Sequence, residues 1–424
     1  MNSKGGLKPM RMASATSSRW VGSRRRSLHV WLLGAGLCAA PASIAAAEIL
    51  LGGALLFHLI AIARGQAAVF LPRIFRAWLL WAGLLAFACL SSGALSSGEG
   101  ELRHLGLIAA LFLLLPAIDQ EPYRLAIWRG IFVAGSVSSL VLVARFVFRL
   151  LWYRGGLDPV VYLRGGGLQH HWMVFATVEV VIFAGLLEFW HYFPEERRWL
   201  APMWVLHTAA ILFSLTRTLW LSCLLLLAFD LVWRRSRWIW ALPVLPCLLF
   251  LIAPNAVRTR IADSSQLAYY SNAERLQMLR VGWRMIRQHP LRGVGPGRVE
   301  QLYPQYLRAE ESLPAYHGHL HNNLVQIAAQ SGVPAATAAM LFGICLMWEL
   351  WKRQRVASDR SEAFLCRAGL LGLAGFAIAG MFDYTYGHSL GLIMVSFAAL
   401  TPLTPMRETA RTGNSKLSAR IPPG

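Results

Sequence analysis

The sequence predicts an all-α polytopic membrane protein of about 12 transmembrane helices with one large loop, on three observations. Hydrophobic residues make up 56% of the 424-residue chain, only 15% are charged, and the mean hydropathy is +0.47. The apolar residues gather into twelve stretches, accompanied by 17 tryptophans, which favour the headgroup level of a bilayer. One polar segment, 255–319, interrupts them; a loop of about 65 residues in a chain built of spans has a task of its own.

The spans are expected at 28–47, 49–63, 77–95, 103–118, 129–150, 171–190, 199–215, 218–233, 238–253, 333–351, 364–382 and 389–402. The 28–63 region reads as two short helices or a re-entrant pair. Arg24-Arg25-Arg26 followed by an apolar run and small residues up to Ala47 resembles a secretory signal, but an uncleaved first span is favoured because so many spans follow. With twelve spans, both termini share one side with the links at 64–76, 119–128, 191–198, 234–237 and 352–363. Those links hold Arg64, Arg73, Arg76, Arg124, Arg197, Arg198, Arg234, Arg235, Arg237, Lys352, Arg353, Arg355 and Arg360, so this side is cytoplasmic by the positive-inside rule. The expected organisation is a basic cytoplasmic tail at 1–27, helices one to nine over 28–254, an outer loop with amphipathic helices over 255–332, helices ten to twelve over 333–402, and a cytoplasmic tail at 403–424. The formal charge of +20 then belongs to membrane orientation and to the outer loop, which excludes nucleic acid as a partner and makes membrane lipid one. Cys38, Cys89, Cys223, Cys247, Cys345 and Cys366 lack metal-ligand spacing and read as small buried hydrophobes.

Segments 151–170, 214–217, the long loop and 383–388 fall together on the outer side. Arg217, in Ser214-Leu215-Thr216-Arg217, sits in a tight turn between two apolar stretches, where a charge needs a cavity or a partner. Within the loop, Glu274–His289 has helical spacing, with Leu276, Leu279, Trp283 and Ile286 as its apolar stripe. Arg280, Arg284 and Arg287 lie beside that stripe and Arg275 on its other edge. Such a helix either lies on the membrane surface or offers its arginines to a lipid-linked phosphate. Pro290 ends it, and Gly293, Gly295 and Gly297 form a turn. His317, His319 and His321 alternate, which suits a metal, but no nearby acid or cysteine completes a set, so a proton-transfer role is preferred and no metal or other cofactor is expected. Asn322 follows His321 and opens an amphipathic helix. Asp383 would orient a histidine or cap a helix. Arg164, before Gly165-Gly166-Gly167 and His170-His171, is a further substrate-contact candidate.

Four features then resemble the O-antigen ligase and polymerase group of bacterial inner-membrane glycosyltransferases: Ser214 with Arg217; Arg275-Leu276 and Trp283 leading into His289-Pro290-Leu291, Gly293 and Gly295; His321-Asn322 with Leu324 and Gly332; and one large late loop. The resemblance implies a fold similar to the C type of membrane glycosyltransferases, GT-C, with the loop periplasmic. It implies metal-independent, inverting transfer of a polysaccharide from undecaprenyl diphosphate to a sugar of lipid A-core, in lipopolysaccharide biosynthesis. Arg217 and Arg275 would hold the diphosphate, His321 would be the general base on the acceptor hydroxyl, and Asp383 would be the acid near the last spans. Arg164, Arg280, Arg284, His319 and Asn322 would contact substrate. The rival readings are a polymerase of the same group and a polytopic lipid or solute transporter; few acids in the spans argue against proton coupling.

Overall fold

A chain in hydrocarbon must satisfy its backbone internally, and helices carry most of the backbone here, with no strand among the described residues. The computed structural model describes residues 27–406 apart from 157, 170, 245, 246, 248, 249, 252, 264–269, 315 and 316. The arginine triplet at 24–26, the tail charges from Arg407 onward and His170 lie outside the described residues.

The helices are α1 (Leu28–Ala39), α2 (Ile44–Ala63), α3 (Phe75–Ser91), α4 (Glu99–Leu114), α5 (Glu121–Trp152), α6 (Pro159–Leu163), α7 (Trp172–Tyr192), α8 (Arg197–Phe213), α9 (Arg217–Trp233), α10 (Asn255–Ala262), α11 (Tyr270–Gln288), α12 (Asn323–Val356), α13 (Arg360–Gly380) and α14 (Ser389–Leu400). Among the described residues, six segments are long and apolar enough to cross a membrane: Ile44–Ala63, Glu99–Ala117, Glu121–Trp152, Trp172–Tyr192, Asn323–Val356 and Arg360–Gly380. Leu28–Ala39, Phe75–Ser91 and Ser389–Leu403 are shorter apolar helices. The multi-pass membrane reading therefore stands, whereas the expected twelve spans are met only in part. α8 and α9 have 17 residues each, about 26 Å at the helical rise, short of the roughly 30 Å of hydrocarbon. The expected span 238–253 falls partly on residues outside the described ones; its start is a 3₁₀ turn, Arg237–Ala241. The first break also moves, from 47–49 to 40–43, because Pro41 ends α1 and the Ser43 hydroxyl caps α2 by accepting from Ala46 N.

α13 runs against α7, α9, α12 and α14, while α3 packs on α12 and α5 on α8. At one end of the bundle Arg124 Nε donates to Ile118 O at 2.7 Å, and its other nitrogens reach Thr401 O at 3.0 Å and Thr404 Oγ1 at 2.6 Å. Nearby, Arg367 binds Glu188 at 3.1 Å and Asp230 at 2.9 Å, and Arg234 pairs with both acids. Glu179 of α7 bonds to the buried His207 at 2.6 Å. Glu188, Asp230 and Glu179 thus each have a fixed cationic or imidazole partner, as buried charge requires. Cys89, Cys223 and Cys366 are buried as expected, but Cys247 and Cys345 are exposed.

The opposite end gathers the starts of α7, α9 and α12 and the end of α13, so the segments expected on one side do share it. There the long loop is fastened by backbone. Gly332 (φ 85°, ψ 164°) breaks α12 ahead of Pro334, and a break strands the preceding carbonyls. The 290–295 turn satisfies them: Val294 N donates to Ala329 O at 2.8 Å and Gly295 N to Gln330 O at 3.0 Å, while Val333 N donates back to Pro290 O at 2.7 Å. A Cβ on Gly293 would stand 2.3 Å from the Gln330 carbonyl, and one on Gly332 2.2 Å from Leu291 O. The glycine turn is therefore a dock between two backbones. Arg298 adds bonds to Ser92 O (2.8 Å) and Gly93 O (2.7 Å), tying the loop to the α3–α4 turn.

α11 departs from its expected stripe. Met278, Val281, Met285 and Ile286 are buried, whereas Leu276 is 44% and Trp283 60% exposed. The helix carries two apolar stripes, and Gly282 selects between them: its missing side chain admits Val325 and Leu320 of the α12 side.

Candidate active site

Asn322 caps α12, accepting from Val325 N at 3.0 Å and donating to Met381 O at 2.9 Å, which draws the start of α12 onto the end of α13. His321, just before the cap, takes φ 48°, a left-handed conformation that a non-glycine residue adopts at a cost. The result is that His321 Nδ1 lies 3.0 Å from Asp383 Oδ1. The carboxylate accepts, so Nδ1 carries the hydrogen and Nε2 is the basic nitrogen. Burial would raise the Asp383 carboxyl, but the His321 hydrogen bond and the charge of His321 and His388 outweigh it and hold it well below the ordinary carboxylate range. Tyr384 N also donates to Asp383 Oδ1, at 2.8 Å, and Tyr384 Oη donates to the buried Glu101. His319 packs edge-on against His321, with ring centres 4.3 Å apart, and burial first and His321 next push it down to about 3, so it is neutral.

Leu215 is the second strained residue of this end, at φ 53°. Its side chain is fully buried in a separate small core with Phe146, Val160, Leu163, Ala253, Ala256 and Val257. The Ser214 hydroxyl donates to Ile211 O at 2.8 Å and accepts from Thr216 N at 3.2 Å, so the turn closes on itself. It presents Arg217 as the first residue of α9, where the helix dipole adds to the guanidinium's charge instead of opposing it. Arg260 of α10, only 3% exposed, donates from Nε to Leu215 O at 3.3 Å. Arg164 lies over the Trp172 ring, 4.4 Å from its centre, and its Nε is buried without a hydrogen-bond partner among the described residues. Burial, and then Arg260, Arg275 and Arg217, lower Arg164 to about 9 against the opposing pull of Asp383. Burial lowers Arg275 as well; Asp383 opposes that effect and Arg260 adds to it. Arg217, Arg260 and Arg275 thus all act on Arg164, and Asp383 acts on Arg164 and Arg275, an arrangement that an anion of two or more charges relieves.

Arg164, Arg217, Arg275, His319, His321, Asn322 and Asp383 are therefore brought together. Arg280 and Arg284 are not among the charges acting on that group: Arg280 is exposed on α11, and Arg284 is bound to both oxygens of Glu311 at 2.7 Å. Arg287 is also exposed, and His317 bonds to Pro314 O at 3.3 Å beside Tyr303. Arg260 was one of many loop arginines in the sequence; nothing in its spacing marks it as buried. Tyr384, Glu101 and His388 likewise gave no signal beyond their closeness to Asp383 or to a span end.

One sequence expectation is corrected. An acid does complete the histidine set, because His319, His321 and Asp383 place their donor atoms within 4.8 Å of one another. These residues could hold a divalent cation, though Arg164 and Arg275 set positive charge against it.

Residues 202–340 match the family model described as O-antigen ligase, a stretch that includes Arg217, Arg260, Arg275, His321 and Asn322. No curated protein matches the chain.

Proposed function

We propose that the chain, whose residues 202–340 match the O-antigen ligase family model, is an O-antigen ligase, transferring a polysaccharide from undecaprenyl diphosphate to a sugar of lipid A-core. The carrying observation is the four-arginine cluster beside the His321–Asp383 pair. As the sugar–phosphate bond breaks, charge grows on the departing diphosphate; Arg164, Arg217, Arg260 and Arg275 are already held in position for it, so little reorganisation is needed. The acceptor hydroxyl is a poor nucleophile until His321 Nε2 accepts its proton, and Asp383 stabilises the imidazolium that results. Direct displacement inverts the anomeric centre without a carboxylate pair. The outer end of the bundle then faces the periplasm, with the multi-pass body in the inner membrane.

The test combines purified protein, lipid A-core and glycan-loaded undecaprenyl diphosphate in EDTA, following ladder formation on the core. A ladder from the wild type that His321→Ala and Arg217→Ala abolish supports the ligase. Longer chains on the carrier alone would make the protein a polymerase of the same family, and an intact donor with neither product would favour a transporter.

A further inference from the structure

Beside the His321–Asp383 pair, α3, α12, α13 and α14 enclose an apolar groove of about 240 Å³. Small residues open it: Ala339 and Gly343 on α12, Ala377 and Gly380 on α13, Ser396 and Ala399 on α14. Its polar end is formed by Asn323, Gly380 and Met381, next to Asn322 and Asp383. From Leu392 to Leu400 on α14 it runs about 12 Å, against roughly 15 Å for one leaflet of hydrocarbon. Two hydrogen-bond donors line it without a partner among the described residues, Trp81 Nε1 (5% exposed) and Tyr386 Oη (4% exposed), with their rings 5.2 Å apart. An unanswered donor in an apolar setting costs free energy that an acceptor oxygen would recover.

We infer that this groove seats an acyl chain of the acceptor glycolipid, whose ester or amide carbonyl accepts from Trp81 and Tyr386. The inference rests on the ligase reading and adds the acceptor's position to it. A polyprenyl tail carries no oxygen beyond its diphosphate. The guanidiniums suited to that diphosphate sit on or beside α6, α9, α10 and α11, none of which lines the groove. The groove is one leaflet deep, the reach of an acyl chain, whereas a long polyprenyl chain would overrun it. Donor and acceptor would then approach His321 from different sets of helices.

The experiment uses the full-length protein in nanodiscs with lipid A-core and polyprenyl diphosphate-linked glycan. A Cβ at Gly343 meets nothing within 4 Å, so Gly343→Trp fills the groove from open space, and Ala339→Leu is a milder second filling. Gly343→Trp should raise the acceptor KM about tenfold, with Tyr386→Phe raising it roughly two- to tenfold and the donor KM unchanged. A rise in the donor KM instead, or no change in either, overturns the assignment. A second arm needs no turnover: lipid A carrying a diazirine in an acyl chain should label 339–347 in the wild type and not in Gly343→Trp. Labelling by a diazirine polyprenyl phosphate, equal labelling by a diazirine phosphatidylethanolamine, or no labelling overturns it. Should transfer to lipid A-core fail altogether, the ligase reading falls while this labelling still decides the groove.

Discussion

His321 and Asp383 stand 62 positions apart in the chain, yet Nδ1 of one lies 3.0 Å from Oδ1 of the other. Two helix ends produce the contact: the Asn322 cap of α12 and the Met381 carbonyl that this cap binds. The imidazole is thereby fixed in ring orientation and tautomer before any substrate arrives.

Asp383 acts through His321, so Asp383→Asn should lower kcat about 10- to 100-fold while leaving both KM values near wild type. A kcat within twofold of wild type would remove Asp383 from the mechanism. The sign of its pH dependence follows from its depressed native value. Its ionisation stabilises the fold above the unfolded carboxyl range, near pH 4, and that contribution is lost only as pH falls through the lower native value. Activity lost between pH 7 and 5 is therefore not the titration of Asp383 itself; because its carboxylate stabilises the imidazolium, Asp383→Asn should move that acid limb to lower pH, read from kcat against pH.

Replacing Arg217 or Arg275 by Gln should cost about 10²- to 10³-fold in kcat/KM, the scale of losing one preorganised donor to a developing anion. Lys at either position should rescue poorly, since a point ammonium does not reproduce the guanidinium fork. Arg280→Ala should stay within about twofold, and Arg284→Gln should act through loop stability, because its partner is Glu311. Equal losses at Arg280 and Arg275 would break the cluster assignment.

EDTA should leave the rate unchanged, and added Zn²⁺ should inhibit by taking His321 into the donor group it forms with His319 and Asp383. Inhibition should weaken in His319→Gln. A rate lost in EDTA and restored by a divalent ion would assign that group a metal instead of a proton.

Gly332→Ala should destabilise by about 1–3 kcal/mol, since φ 85° and the Leu291 carbonyl both oppose a Cβ. Thermal unfolding in detergent reads this directly, and an unchanged midpoint would mean that the loop dock contributes little.

The helices were legible because apolar runs and their Arg-rich links follow membrane physics, and the segments expected on one side do gather at one end. Arg217 and His321 were legible because a charge in a tight apolar turn and a histidine before an Asn cap are both locally unusual. Span number was less so: Pro41 and the 17-residue helices α8 and α9 change how runs divide without changing composition. α11 misled because it has two apolar stripes, and the choice between them was made by Gly282 and Val325, far apart in sequence. The pairing of Arg284 with Glu311, the burial of Arg260 and the third member of the histidine group are all products of folding at a distance, which spacing does not encode.

The break at Gly332 also separates two mechanical tasks. The Asn323–Ser331 segment is bonded through its carbonyls to the 290–295 turn, while the remainder of α12 continues into the bundle. A span tilts when bilayer thickness changes, and a helix bends most readily where its hydrogen-bond ladder is already interrupted. At Gly332 that ladder is bridged instead by the 290–295 turn, which bonds Ala329 O and Gln330 O before the break and Val333 N after it, so one turn sets both the seat of the His321 end and the direction in which the span leaves it.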